Sequence, residues 1–451
     1  MIGASLSRWT MSYFAAALLA LLAAETLMAS GYGFPFAELR SVETLFLVHL
    51  VALGWLSLLM SGALLQFVPV LVARPLYSDT LPLPALLALV AGLIALLGGF
   101  LQLDGRLTWA MPLLPIAGPL LGVGFALNLW NLGRTLWPLR GLPLPARFVV
   151  IGLLSVVVTV ALGIVFTLVL SGTTTNERLI QLTAAGVPIH IIAGLGGWLT
   201  FSAIGVSYRL LAMFMLAPDV EGWSVRAALS SGTLALALVI LGGIIAVCHG
   251  LELNTLLAAA AVLGAAALAV YVFDVARLYR ARKRRHMELN SRMAGLALAS
   301  LVAAATLLAA ALARGSLSHD VGAIVFLIAF GWLSGLGLAK LYKIVAFLTW
   351  LECYGPVLGK TLTPRVQDLV AESRAAKWFW LYFAAVWLGT IALMLDATAV
   401  FRAAAAVMLA ASVAIIAELV RARCLVEVDA ANRLPAGAHR PRLFLCVSQQ
   451  T

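Results

Sequence analysis

Six histidines stand in a chain that is otherwise poor in ionisable groups, and four of them fall at or near the ends of apolar runs: His49, His190, His249 and His319. An imidazole there is costly to keep and is a functional hypothesis by default, since it ligates copper, zinc or haem iron and exchanges protons near neutrality. His49 and His190 lie several residues inside their runs, which favours ligation. His319, at the start of a run beside Asp320, reads first as a capped or interfacial residue and second as an outer-face ligand. Cys248 directly precedes His249; its sulfur is a candidate copper ligand and equally a candidate inert thiol. Glu25, inside the first run, is a candidate proton carrier or histidine partner as well as a candidate structural carboxylic acid.

The elements that must position these groups carry an internal repeat. The stretch HLVALGWLSLLMSGALLQFVPVL at 49–71 recurs as HIIAGLGGWLTFSAIGVSYRLLAMFML at 190–216 and as FLIAFGWLSGLGLAKLYKIVAFL at 326–348. The anchors are Gly54-Trp55, Gly197-Trp198 and Gly331-Trp332, spaced by 143 and 134 residues. A small residue follows each glycine after eight positions (Gly62, Gly205, Ala339) and a polar one after twelve (Gln66, Arg209, Lys343). Recurrent small residues either let backbones approach or leave room for something flat against the helix. The first two copies carry a histidine shortly before the glycine, and the third does not. His49 and His190 differ by two residues in this frame, roughly 3 Å in depth at the α-helical rise.

With 63% hydrophobic and 11% charged residues over 451 positions, the composition excludes a soluble globule. Twelve apolar runs are long enough to span a hydrocarbon core: 12–30, 44–72, 83–101, 109–132, 148–170, 187–216, 227–248, 253–273, 294–313, 321–351, 378–395 and 400–420. The expected architecture is an all-α polytopic membrane protein, a single twelve-helix transmembrane domain over 1–423 in three four-helix repeats (about 1–140, 141–285 and 286–423). A cytoplasmic tail covers 424–451. Of 30 Lys and Arg residues, all but Arg40, Arg106, Arg178, Arg314 and Arg402 fall on one side if the N-terminus is inside, which puts both termini in the cytoplasm. On that account the net charge of +11 is a topology signal and not a nucleic-acid footprint. The first run, preceded by Arg8, lacks a convincing cleavage site and is expected to stay. Cys248, Cys353, Cys424 and Cys446 form no CxxC or CxxCH pattern, which gives no support to a disulfide framework or covalent haem. HExxH, P-loop and dinucleotide fingerprints are absent, so hydrolytic and nucleotide-dependent chemistry have no support.

Among the other polar groups, Asn128 and Asn131 share a helix face and are expected to bond a neighbouring helix. Arg209, Lys340 and Lys343 are expected to snorkel. Asp274 and Arg277 read as an interfacial pair. The three repeat tryptophans are too deep for an aromatic belt and are expected to pack inside the bundle.

Taken together, the threefold repeat, the early histidines of the second and sixth runs, and Cys248-His249 closing the seventh resemble subunit I of the haem-copper oxidase superfamily. The nearest branch is that of cbb3-type oxidases and nitric oxide reductases. The resemblance covers essentially the whole chain. It implies that His49 ligates a low-spin haem, that His190 and His249 ligate copper or non-haem iron, and that Cys248 takes the place of a second histidine of the seventh helix. His319-Asp320 resembles the His-Asp that precedes the family's His-x-His in the tenth helix. The chain departs from the family at that motif, where Leu327 and Ala329 stand. It also has no tyrosine on the seventh helix or just after His190, which argues against four-electron oxygen reduction.

The resemblance therefore implies a divergent membrane protein of the inner (cytoplasmic) membrane. It would bind haem b and/or copper near the outer face and act in respiratory electron transfer or O2/NO handling, with other respiratory subunits or a cytochrome donor as partners. The alternative is a non-redox protein on the same fold, serving metal or haem delivery, sensing, or a respiratory complex as an accessory subunit. A repeat-built transporter fits less well, because transporters usually show two halves.

Overall fold

The computed structural model describes residues 9–138, 141–430 and 432–443, so Arg8 and Cys446 lie outside the described residues. In a hydrocarbon medium every backbone N–H and C=O must be satisfied within the protein, and among the described residues every regular element is helical. Each of the twelve expected runs is a helix long and apolar enough to cross a membrane. They are α1 (Thr10–Ser30), α2 (Val42–Val72), α3 (Pro82–Leu103), α4 (Leu114–Leu136), α5 (Leu144–Leu170), α6 (Val187–Met215), α7 (Trp223–Cys248), α8 (Asn254–Arg280), α9 (Leu289–Arg314), α10 (Leu317–Val357), α11 (Glu372–Met394) and α12 (Thr398–Arg423).

Local chemistry sets many of the ends. Ser41 caps α2 by accepting the Thr44 N–H at 3.2 Å, and prolines occupy the first turns of α3, α4, α5 and α6, where a missing N–H costs nothing. The fourth run begins at Leu114 and not at 109. The preceding residues form a loop wound on Gln102, whose amide donates to the Trp109 and Met111 carbonyls and accepts the Leu113 N–H. An additional nine-residue helix, Glu177–Ala185, lies between α5 and α6 and is capped by Asn176. Its mixed composition hid it from a search for apolar runs.

The chain forms two compact units, Met1–Gln66 with His286–Thr451, and Phe67–Arg285. In the first, α1 packs on α2, α9 on α10, and α11 on α12. In the second, α3 packs on α4, α5 on α6, and α7 on α8.

Glycines make these approaches close. A Cβ on Gly205 would lie 2.6 Å from the Pro145 carbonyl oxygen and 2.7 Å from Phe148 Cβ, and one on Gly62 would lie 2.7 Å from Tyr13 Cβ. The small position eight residues past the Gly-Trp glycine is therefore filled by the preceding helix in both copies, which settles the choice between helix approach and space for a flat group in favour of approach.

Polar groups depart from expectation in instructive ways. Asn131 does not bond a helix; its amide clamps the Ser78 backbone, accepting N–H at 3.0 Å and donating to C=O at 2.8 Å. Lys343 pairs with Glu288 at 3.0 Å, while Lys340 is buried instead of snorkelling. Asp274 is fully buried, accepts from the Tyr208 hydroxyl at 3.0 Å and sits 3.8 Å from Arg277. The chain following α12 folds back on the end of α10. Tyr354, Cys353, Val357, Leu369, Leu425 and Val428 form a small core, the Tyr354 hydroxyl donates to the Arg433 carbonyl at 2.7 Å, and Arg423 pairs with Glu352 at 2.8 Å.

Candidate functional site

The Gly-Trp segments are not α-helical. Leu50–Ser57 in α2, Ile192–Phe201 in α6 and Leu327–Ser334 in α10 are π-helical, with backbone N–H groups bonding carbonyls five residues back. A fourth π segment, Leu238–Gly242, lies in α7 ahead of Cys248 and His249. Among the described residues these four are the π elements of the chain, and they fall on α2, α6, α7 and α10. Those are the four helices from which the sequence reading draws its candidate ligands. Such wide turns are rare and concentrate at functional sites.

In the third copy the carbonyls of the wide turn are taken up by side chains. The Ser334 hydroxyl donates to the Ala329 carbonyl five residues back at 2.7 Å, and the Tyr382 hydroxyl on α11 donates to the Phe330 carbonyl at 3.0 Å. Trp55 Nε1 donates to Ser334 Oγ at 2.7 Å, so the first copy is bonded to the third inside one unit. Trp55, Ser334 and Tyr382 are all fully buried. The expectation that the tryptophans pack inside the bundle holds, and for Trp55 the hydrogen bond gives the reason for its depth. This network was not part of the sequence reading. Its signal was present: a hydroxyl stands three residues past each anchoring glycine, at Ser57, Thr200 and Ser334.

Glu25 belongs to the same region. It is fully buried on α1, and its Oε1 accepts from the Ser412 hydroxyl of α12 at 2.9 Å.

His49 is half-buried at the last α-helical position before the wide turn of α2. Its Nδ1 bonds the Leu45 carbonyl at 2.7 Å, and since a carbonyl only accepts, Nδ1 carries the proton and Nε2 is the basic nitrogen. His190 is half-buried in the second unit, with its ring 5.4 Å from that of Phe166 and its Cε1 close to Gly163, both on α5. Cys248 and His249 are exposed at the end of α7. Among the described residues no group of three or more His, Cys, Asp or Glu side chains is placed to hold a metal ion.

His319 is exposed, and its two ring nitrogens face two carboxylates: Nδ1 is 2.9 Å from Asp320 and Nε2 is 3.0 Å from Asp396. Asp320 is buried and also accepts from Ser316 at 2.6 Å and Arg314 at 3.1 Å. With both nitrogens so engaged, this histidine fastens the start of α10 to the turn between α11 and α12, and neither nitrogen points a lone pair at open space.

These features define an integral membrane protein with twelve helices, among the described residues, long and apolar enough to cross a membrane. Compared with models of known protein families and with curated protein sequences, the chain matches none.

Proposed function

We propose that the chain is a divergent relative of haem-copper oxidase subunit I that binds haem through His49 and acts in respiratory electron transfer or in the handling of O2 or NO. The observation that carries the reading is the coincidence of the four π segments with α2, α6, α7 and α10, the helices to which the resemblance assigns ligands. The pairing of α1 with α2, α5 with α6 and α9 with α10 supports a threefold repeat of four helices. A bilayer location with cytoplasmic termini and a respiratory electron donor as partner follows from the same reading.

His49 is the residue that would hold the haem iron. A backbone carbonyl on Nδ1 orients an imidazole and raises the basicity of Nε2, as in most protein metal sites. Haem, when bound, supplies one-electron chemistry and gas binding at its iron. The chain's own contributions are an imidazole of fixed tautomer, a hydrocarbon surround that excludes water, and at Glu25 a carboxyl group that can hold a proton. Copper fits less well: Cys248 and His249 are exposed, and no three-ligand group is assembled among the described residues. The copper half of the expected set rests on resemblance alone, and no step is derived through it.

The second reading, a non-redox protein on the same fold serving metal or haem delivery, sensing or a respiratory complex, is favoured by Leu327 and Ala329 in α10, which stand where the resemblance places the His-x-His. The difference spectrum of the detergent-purified protein, dithionite-reduced minus oxidised, separates the two. A haem band that disappears in His49→Ala and persists in His190→Ala is expected. A colourless protein without iron or copper overturns the haem reading and leaves the second.

A further inference from the structure

Of the twelve helices α8 is the least enclosed: only 11% of the residues in its most apolar stretch are buried. Its exposed residues fall on one line at helical spacing, Ala258, Val262, Ala266, Ala269, Phe273, Arg277 and Arg280. The line is apolar for most of its length and turns basic at its end. Arg277 lies over the Phe273 ring at 5.6 Å, which holds the guanidinium at the boundary between the apolar and basic parts.

The turn that follows adds Arg282, Lys283, Arg284 and Arg285. It does not trail away. The Arg284 N–H bonds the Met215 carbonyl at the end of α6, and Arg282 folds back onto the Tyr279 carbonyl at 2.7 Å. The nearby carboxylate, Asp274, is fully buried; one oxygen accepts from Tyr208 and the other lies 3.8 Å from Arg277, so it offsets the first charge of the cluster and none of those that follow. The cluster thus presents fixed positive charge at the edge of a lipid-facing helix with no exposed acid between Arg277 and Arg285. A charge count that merely orients the chain requires neither the anchored turn nor its alignment with the outermost helix face.

We infer that this end of α8 binds an anionic phospholipid, its acyl chains along Val262 to Phe273 and its phosphate at Arg277, Arg280, Lys283 and Arg285. Charge complementarity selects the headgroup, since basic clusters beside a membrane helix attract anionic lipid, and the exposed apolar line selects a lipid over a soluble phosphate. The inference is independent of any haem.

The test uses the full-length protein in mixed micelles, with retained lipid counted by native mass spectrometry. Phosphatidylglycerol is expected to be retained over phosphatidylcholine, and inorganic phosphate is expected not to displace it. The triple variant Arg280→Gln, Lys283→Gln, Arg285→Gln should lower retention of phosphatidylglycerol about a hundredfold and leave phosphatidylcholine unchanged. A matched variant, Arg74→Gln, Arg147→Gln, Arg226→Gln, removes the same charge elsewhere in the unit. Equal retention by the wild type and the first triple, or an equal loss in the matched variant, overturns the site, and displacement by phosphate reassigns it to a soluble anion.

Discussion

At the scale of single residues, the chain shows how much of its chemistry is spent on holding carbonyls and helix contacts. Gly205 illustrates the contacts. Because the nearest atoms to a new Cβ there are a backbone carbonyl oxygen at 2.6 Å and a Cβ at 2.7 Å, neither can swing aside. Gly205→Ala should destabilise the detergent-solubilised protein by about 1–3 kcal/mol, whereas Gly264→Ala, with no atom within 4 Å, should melt unchanged. Comparing thermal melts of the two variants checks this, and equal melts would contradict the close approach of α5 and α6. His49, His190, Cys248, His249 and Glu25 were all visible in the sequence as unusual residues in or beside apolar runs. Their partners were not visible. Ser412 lies 387 positions from Glu25, and Ser334 lies 279 from Trp55, so no local pattern connects them. His319 is the instructive case: its neighbour Asp320 was legible, while Asp396, which occupies the other nitrogen, enters through a tertiary turn.

At the scale of elements, hydropathy made all twelve spans legible, because burial in hydrocarbon and helix formation are the same requirement for a spanning segment. The wide turns were beyond that signal. LVALGWLS and LIAFGWLS are equally apolar whether the N–H groups reach four or five residues back, and the hydroxyls that take up the Ala329 and Phe330 carbonyls in the second of them come from Ser334 and from Tyr382 on a distant helix. A wide turn of this kind accommodates an extra residue in an otherwise α-helical rod. Deleting Ala52 should therefore let α2 close into a regular helix with the parts on either side still in register, and repack the turn between them so that Trp55 leaves Ser334. The expected outcome is loss of the buried Trp55 environment, read as a red shift in tryptophan fluorescence against a background in which other tryptophans are replaced. Deleting Leu87 on α3, which faces outward with 60% exposure in a regular helix, serves as the comparison. If deletion of Ala52 leaves the emission unchanged, the wide turn is not what sets the Trp55 position.

At the scale of the whole molecule, the sequence marked a tail but gave no indication that it folds. Its residues are neither apolar enough to suggest a span nor patterned enough to suggest a helix; Leu425, Val428 and Arg433 dock on Tyr354 and its neighbours, and Glu427 is held by ion pairing. Arg374 binds Glu418 and Glu427 together at 2.6 and 2.7 Å, and Arg421 adds a second contact to Glu427 at 2.6 Å. The hydrogen bonds from Arg374 and then Arg421 hold the Glu427 carboxyl below its ordinary range. A lowered carboxyl contributes stability that is complete above its ordinary value of 4.5 and is lost as pH falls through the lower folded value. Tail docking should thus be constant from neutrality down to about pH 4.5 and loosen below it, which limited proteolysis of the tail by an acid-active protease can follow. Glu427→Gln should remove the step, and a step that survives the substitution would assign it to another group.

The tail rests on a helix of unusual reach. From Leu317 to Val357, α10 runs 41 residues, roughly 60 Å at the α-helical rise against a hydrocarbon core of about 30 Å. Ser334 near the middle of that rod and Tyr354 near its tip are parts of one lever, with Trp55 gripping it inside the bilayer and Arg433 gripping it outside. Because both contacts sit on that one rod, a probe on Leu434 is expected to report a substitution at Ser334 that tilts it.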